Sequence, residues 1–281
     1  MIKVLHPGFY STIQDSGRIG FQQYGVPYSG VMDIYSAALA NHTLGNKESA
    51  SVIEMTMTGA TLQFYYDTYI CISGADMVAK INDTNIMLNK SIKIISGDIL
   101  TFGKLKKGFR SYLAVSGGFK TETIMNSQSM YKGITTQSRI SKNDELKINT
   151  NTYYIDNKHA LIKVNNELYF NDKIEVFKGP EFELLSKNQQ EFLFQMTFTI
   201  SKDNNRMAYQ LLETLDNSLE PIITSAVLPG TVQLTPSGKL IVLMRDCQTT
   251  GGYPRVLQLK ESAINILAQK FTGNVINFKL V

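Results

Sequence analysis

Between Thr61 and Ile95 the chain repeats one pattern, a short apolar run followed by turn-forming residues. The runs are Thr61-Leu62-Gln63-Phe64, Thr68-Tyr69-Ile70-Cys71-Ile72, Met77-Val78-Ala79-Lys80-Ile81 and Ile92-Lys93-Ile94-Ile95. They are separated by Ser73-Gly74 and Asn82-Asp83 and followed by Ser96-Gly97-Asp98. Strands this short and this closely spaced pack as an antiparallel sandwich or barrel. The same texture continues in Val52–Met57, in Arg110–Val115 with its stop at Ser116-Gly117-Gly118-Phe119, and in residues 2–33, where Gly and Pro recur. The fold class is therefore mainly β with a few short helices.

Three stretches read as helix. Ile34, Ala37, Ala38 and Ala40 keep helical spacing, with Asp33 as N-cap and Gly45-Asn46 as stop. Pro180 suits the start of a helix from Phe182 to Phe194. Lys260–Lys270 turns Ala263, Ile264, Ile266 and Leu267 inward, Gly273 ends it, and Val275–Phe278 is a last strand. Lys173–Lys178 is another strand. The polar run from Asn149 to Asn166 marks a lobe boundary, giving an N-terminal β lobe over 1–150 and a C-terminal β lobe over 151–281, with exchange of strands between them allowed.

At 281 residues and 43% hydrophobic content the chain can bury one large core or two small ones. Net charge is only +4, and lysines are scattered, as in Lys104-Leu105-Lys106-Lys107, without the basic, aromatic-laced stripe of a nucleic-acid protein. Pro7-Gly8 interrupts the start before a signal-peptide core could form, and no apolar run approaches the ~18 residues of a membrane span. The expected location is cytoplasmic, with no nucleic-acid and no membrane partner. Cys71 and Cys247 form no CxxC pair, and His6, His42 and His159 have no ligand spacing, so no metal is expected.

Polar residues concentrate in two places. In residues 224–255, Pro229-Gly230 and Pro236-Ser237-Gly238 bracket a hairpin of Thr231–Leu234 and Leu240–Met244, the second strand read as buried on both faces. Arg245, Asp246, Gln248, Thr249, Thr250, Gly251, Gly252, Tyr253 and Pro254 follow directly. Composition alone leaves open an ordinary polar turn or a binding loop on a rigid scaffold. In residues 2–33, Gln14, Asp15, Arg18, Tyr24, Ser29 and Asp33 either converge on one site or pair locally, Asp15 with Arg18 across a turn. Glu54, among apolar neighbours, is a candidate buried acid needing a cation such as Arg18. No phosphate-binding Gly-x-x-x-x-Gly-Lys loop, Gly-x-Ser-x-Gly elbow, His-Glu-x-x-His or dinucleotide fingerprint occurs. Asp15, Arg18, Glu54, Arg206, Asp246, Gln248, Thr249, Thr250 and Tyr253 suit an amide-like polar substrate, through orientation and electrostatics more than covalent catalysis.

Two stretches resemble a known family: Pro-Gly-Thr-Val-Gln, Pro-Ser-Gly and Asp246-Cys247-Gln248-Thr249-Thr250-Gly251-Gly252-Tyr253-Pro254, and, near the start, Thr12-Ile13-Gln14-Asp15, Gly17-Arg18, Gly25-Val26-Pro27, Ser29-Gly30 and Met32-Asp33. Arg110-Ser111-Tyr112-Leu113-Ala114-Val115-Ser116-Gly117-Gly118-Phe119 and Asn205-Arg206-Met207-Ala208-Tyr209 are similar too, the latter departing at Asn205 and Ala208. The family is that of the 5-oxoprolinase C subunit, also known as allophanate hydrolase subunit 2 or the biotin-dependent carboxyltransferase A/B subdomain family. Over 120–150 the resemblance weakens: most glycines of the family's loop are missing around Gly133–Arg139, so a phosphate-cradling role is not carried over.

This resemblance implies two barrel-like lobes of cyclophilin-like type, the polar loops of 4–33 and 227–254 meeting in one cleft. It implies a part in opening 5-oxo-L-proline to L-glutamate with ATP shared with a partner subunit, alongside the B and A subunits of 5-oxoprolinase. Asp246 and Gln248, with Asp15, are the implied catalytic residues, positioning the amide or the attacking water. Arg18 and Arg206 would neutralise carboxylate or phosphate, and Glu54, Thr249, Thr250, Tyr253, Gly25 and Ser29 would bind substrate. Two alternatives stand beside it. One is the carboxyltransferase subunit of a biotin-dependent urea carboxylase system, with no biotin on this chain. The other is a non-catalytic regulator antagonising a histidine-kinase inhibitor.

Overall fold

A computed structural model of the chain describes residues 1–149 and 167–281. They divide into two compact units, Met1–Arg18 with Ser29–Asn166, and Ile19–Tyr28 with Glu167–Val281. The expected boundary at 150/151, the polar run beyond it and His159 lie outside the described residues. Residues 19–28, expected in the first lobe, group with the second unit.

The first unit contains β1 (Ile2–His6), β2 (Tyr10–Gln14), α1 (Ile34–Leu44), β3 (Val52–Thr56), β4 (Thr61–Phe64), β5 (Thr68–Asp76), β6 (Ala79–Ile81), β7 (Thr84–Asn85), β8 (Ile92–Ile94), β9 (Ile99–Phe102), β10 (Lys107–Val115) and β11 (Glu145–Leu146). These strands form two sheets, β11-β1-β4-β9-β6-β7 and β2-β3-β10-β5-β8. All their pairings are antiparallel. Period-2 alternation turns Val4, Leu62, Phe64 and Leu100 of one sheet and Ile13, Ile53, Met55, Ile72 and Leu113 of the other into a shared core. The other face of the second sheet packs on α1 through Ala37, Ala40 and Leu44 against Val52, Cys71, Tyr112 and Ala114. Every residue of β3 is consequently buried, and that is how Glu54 comes to lie in the interior.

Helix α1 begins where the sequence places it. Asp33 Oδ1 accepts from Ser36 N (3.0 Å) and Oδ2 from Ser36 Oγ (2.6 Å), and Gly45 ends the helix in the left-handed region. Ser73-Gly74, expected to separate two strands, instead lies inside β5. Gly74 has φ +87°, and a Cβ there would stand 2.5 Å from Arg110 O, so it marks an irregularity where β5 and β10 shift register.

The second unit contains α2 (Glu167–Phe170), β12 (Lys173–Lys178), α3 (Lys187–Gln195), β13 (Phe198–Asn204), β14 (Ala208–Thr214), β15 (Ser225–Ala226), β16 (Thr231–Leu234), β17 (Lys239–Leu243), β18 (Thr250–Gly251), β19 (Arg255–Leu259), α4 (Glu261–Ala268) and β20 (Val275–Leu280). Seven of the strands form a closed barrel in the order β12-β19-β16-β17-β14-β13-β20, sealed by parallel pairing of β20 with β12. Ile174, Phe198, Tyr209, Val232, Leu240, Val242, Leu257, Ile276 and Phe278 are all buried. The mainly β expectation holds, and the second unit is a closed barrel. The first unit encloses a core of its own between two sheets.

Two local readings change. The helix expected over 182–194 is a 3-10 turn at Phe182–Leu184 followed by α3. Ser186 interrupts it by capping Gln189 N (3.4 Å) while Gln189 Oε1 accepts from Ser186 N (2.8 Å), a capping box that starts a new helix. In the β16–β17 hairpin it is β16 that is buried on both faces. β17 exposes Lys239 and half-exposes Ile241, as one face of that strand turns outward. Among the described residues no helix is long and apolar enough to cross a membrane.

Candidate functional site

The polar cluster of the second unit is assembled from two adjoining turns. Between β13 and β14, Asn205 Oδ1 accepts from Met207 N (2.7 Å) and Ala208 N (3.1 Å), closing a tight turn with Arg206 inside it. Beyond β17, Met244 N donates to Met207 O and Asp246 N to Arg206 O, both at 2.8 Å. This main-chain pairing sets the side chains face to face. Arg206 Nε donates to Asp246 Oδ2 (2.8 Å) and Nη2 to Oδ1 (3.1 Å), a bidentate pair with both residues buried. Next to it, burial and then the Asp246 charge push the Cys247 thiol up to about 12.

From this anchor the chain runs out along an exposed loop. Gln248 and Thr250 are exposed and the Tyr253 ring is 40% exposed, whereas Thr249 is half-buried. The loop backbone is tied down at four places: Val227 N to Thr249 O (3.1 Å), the short β15–β18 pairing, Ile222 N to Gly252 O (2.9 Å) and Leu234 N to Pro254 O (2.9 Å). Gln233, 2% exposed, lies beneath it within 3.5 Å of both Gln248 Nε2 and Tyr253 O. The arrangement presents an amide, hydroxyls and a phenol from a fixed frame.

Sequence reasoning missed the clamp at the loop's far end. Arg255 Nε donates to Glu181 Oε2 (2.9 Å), Nη2 to Oε1 (2.8 Å) and Nη1 to Ala226 O (2.9 Å). Hydrogen bonds from Arg255 hold the Glu181 carboxyl below its ordinary range, and Glu181 raises Arg255 in return. The chain passes so close that a Cβ on Gly179 would stand 2.1 Å from Arg255 O. The partners are distant in sequence, and only the Gly179-Pro180-Glu181 turn hints at a close approach.

In the first unit, Asp15 and Arg18 do not need each other as neighbours across a turn, because residues 127–129 engage both. Asp15 Oδ1 accepts from Gly17 N (2.8 Å), Ser127 Oγ (2.6 Å) and Ser129 Oγ (2.6 Å), and Oδ2 accepts from Gln128 N (2.6 Å). Arg18 Nη2 donates to Ser129 O. A carboxylate so fully hydrogen-bonded has the geometry of a loop anchor. Glu54 Oε2 accepts from Met32 N (2.7 Å), and Arg110, which sequence reasoning does not single out, places Nε 3.9 Å from its Oε1. Ser29 is buried with φ +55°, and its Oγ has no hydrogen-bond partner among the described residues. Gly25 ends the 3-10 turn Gln22–Tyr24 in the left-handed region. Asp15, Ser16, Val31, Ile34, Ala37 and Glu48 help line a cavity of ≈ 350 Å³ within this unit. The sequence-predicted residues thus fall into an Arg206–Asp246 group with its loop, an Asp15–Arg18 group and a Glu54 group.

Among known proteins, residues 24–280 match the carboxyltransferase domain, subdomain A and B. The C subunit of 5-oxoprolinase from Escherichia coli (strain K12) is 33% identical over 99% of this chain and 90% of its own length. The crystal structure of TTHA0988 superposes with a TM-score of 0.89 and 25% identity over 99% of this chain, which spans 55% of that one. The K. lactis urea amidolyase superposes with a TM-score of 0.88 and 26% identity, and there this chain spans only 18% of the longer protein. A match over most of the length in sequence, and over nearly all of it in structure, means that the chain belongs to the carboxyltransferase domain, subdomain A and B, family.

Proposed function

We propose that the chain is one component of an ATP-dependent 5-oxoprolinase complex that opens 5-oxo-L-proline to L-glutamate, working with the A and B subunits. The observation that carries this reading is the end-to-end likeness to the E. coli 5-oxoprolinase component, over 99% of this chain and 90% of the relative. In the reaction, water oxygen bonds to the lactam carbonyl carbon, the ring C–N bond breaks, and the nitrogen takes up a proton to become the free amine. ATP hydrolysis supplies the driving force.

Within this chain the substrate-facing groups are Gln248, Thr250 and Tyr253, whose amide, hydroxyl and phenol can donate to and accept from a lactam. Thr249 contributes its backbone to the frame, and Arg206 with Asp246 fixes where the loop begins. Asp15, already accepting four hydrogen bonds, acts as a positioning residue. The arginines do not fit a nucleotide triphosphate. Arg206 uses Nε and Nη2 on Asp246, Arg18 uses Nη2 on Ser129 O, and both side chains are buried.

The test is 5-oxoproline-dependent phosphate release by the chain alone and after co-purification with the A and B subunits. Activity only in the full mixture is expected, falling about tenfold or more in Gln248→Ala, the effect of losing one well-placed hydrogen-bonding group. A stable complex with no 5-oxoproline-dependent hydrolysis would overturn the reading. The likeness to the K. lactis urea amidolyase favours a second one, carboxyl transfer to an amide-like acceptor from a biotin carried on a separate protein. Carboxylation of urea by the chain with a biotinylated carrier would select it.

A further inference from the structure

We infer that Gln233, buried beneath the 248–253 loop, is a positioning residue that fixes the polarity of the Gln248 amide, so that the loop offers an acceptor and selects ligands carrying an N–H. A lactam or open amide is thereby preferred over the lactone or ester of the same shape. The inference rests on the reading above for the identity of the substrate, and adds which of its atoms this loop reads.

Gln233 lies in β16 opposite Arg255 of β19 and is 2% exposed. Its amide has an acceptor end and a donor end, and a flip exchanges them with almost no change of shape, so the neighbours decide which way it points. Gln233 Nε2 stands 3.5 Å from Tyr253 O, a carbonyl that can only accept. The flipped amide would set two oxygens against each other. Oε1 of Gln233 therefore faces Gln248, and an oxygen this deeply buried calls for a donor. Gln248 Nε2 stands 3.5 Å from it. Both contacts are at the long end of the hydrogen-bond range, so repulsion in the flipped arrangements sets the orientation as much as attraction does.

Gln248 thus turns its NH₂ inward. Its own Oε1 has no hydrogen-bond partner among the described residues, and the side chain is exposed, which leaves that oxygen open to a ligand. Gly251 makes room for the arrangement. A Cβ there would stand 2.5 Å from Gln233 Nε2, while the φ of Gly251 lies outside the left-handed region, so the glycine supplies space and not backbone freedom. A main-chain carbonyl sets Gln233, Gln233 sets Gln248, and Gln248 sets what a ligand must bring. Facing a ring N–H, the Gln248 oxygen gains a hydrogen bond; facing a ring oxygen, it meets only lone pairs.

The experiment measures binding of 5-oxoproline and of its ring-oxygen counterpart, the γ-lactone of 2-hydroxyglutarate, to the chain assembled with the A and B subunits, together with 5-oxoproline-dependent hydrolysis. Both probes carry the same carbonyl and carboxylate, so the comparison isolates the N–H. The parent should bind the lactam about tenfold tighter or more. Gln233→Met, of similar length without the polar ends, and Gly251→Ala, which displaces the Gln233 amide, should each reduce the preference to about threefold or less. Gln258 is another amide within the barrel, accepting from Thr231 Oγ1 (2.8 Å) and donating to Pro229 O (2.9 Å). Gln258→Met should lower stability and leave the preference unchanged, which separates polarity from a merely structural effect. In the ¹⁵N-labelled parent chain, a nuclear Overhauser effect from the Gln248 NH₂ to the Gln233 side chain reads the orientation without ligand or partner, whether or not the variants fold. The inference is overturned if that contact is absent, if the parent binds both rings equally, if neither Gln233→Met nor Gly251→Ala narrows the preference, or if Gln258→Met narrows it as much. Equal binding with hydrolysis intact overturns the polarity and keeps the reaction; preferential lactam binding without hydrolysis keeps the polarity and overturns the reaction. Binding of neither ring overturns both.

Discussion

Arg206 and Asp246 are held to each other twice, by a two-pronged side-chain contact (2.8 and 3.1 Å) and by a main-chain hydrogen bond from Asp246 N to Arg206 O (2.8 Å). The β13–β14 turn and the start of the 246–254 loop therefore behave as one piece. A buried pair of this kind is costly to break from one side, because the surviving charge stays in the interior without its counter-ion.

Asp246→Ala should lower unfolding free energy by about 3–5 kcal/mol. Replacing both residues, as Arg206→Met/Asp246→Leu, should recover most of that loss. Urea denaturation of the two variants checks this; a double variant as unstable as the single would mean the pair matters through other contacts.

Asp15→Asn keeps the side-chain shape but offers one acceptor oxygen where four donors converge, and turns an NH₂ toward them. About 2 kcal/mol of destabilisation is expected. Hydrogen exchange should localise it, with the Gln128 amide losing protection far more than the amides of β10.

The Glu181–Arg255 clamp carries a pH signature. Because Arg255 lowers the folded-state Glu181 pKa, its contribution is present above the unfolded value, 4.5, and is lost as pH falls through the folded one. Glu181→Gln should cost about 1–2 kcal/mol at neutral pH. The gap between parent and variant should then close on acidification below about pH 4.5, the ordinary glutamate value. A gap that persists undiminished in acid would show that the charge is not what the clamp uses.

Burial pushes both the Cys71 and the Cys247 thiol up to about 12. Both should resist an aromatic disulfide reagent at neutral pH in the folded protein and react promptly in denaturant. Prompt labelling of Cys247 without denaturant would reveal local opening around Asp246.

What can be read in the sequence is local. Asp33 and Gly45 bound α1 because capping chemistry acts within a few residues, and Pro236–Gly238 marks the β16–β17 turn for the same reason. Ser186-Lys187-Asn188-Gln189 is an equally local capping signature, overshadowed by Pro180, which by itself reads as the helix start. The partners of the polar residues are not readable. Asp15 depends on Ser127 and Ser129, Glu54 lies beside Arg110, and Arg255 finds Glu181, each brought together only by sheet packing. Composition identifies which groups are polar and in turns. It does not say that Asp15 is saturated by protein donors while Gln248 and Thr250 stay open to solvent.

The parallel seam between β12 and β20 also bears on how the protein is made. Lys173–Val176 pairs with Asn277–Leu280, so the first strand of the barrel must wait for the last before its ladder is complete. During synthesis β12 can dock on β19 as soon as that strand emerges, yet its other edge stays bare until β20 leaves the ribosome. For that interval the nascent barrel is an open sheet with an adhesive margin, the form most exposed to pairing with a neighbouring chain.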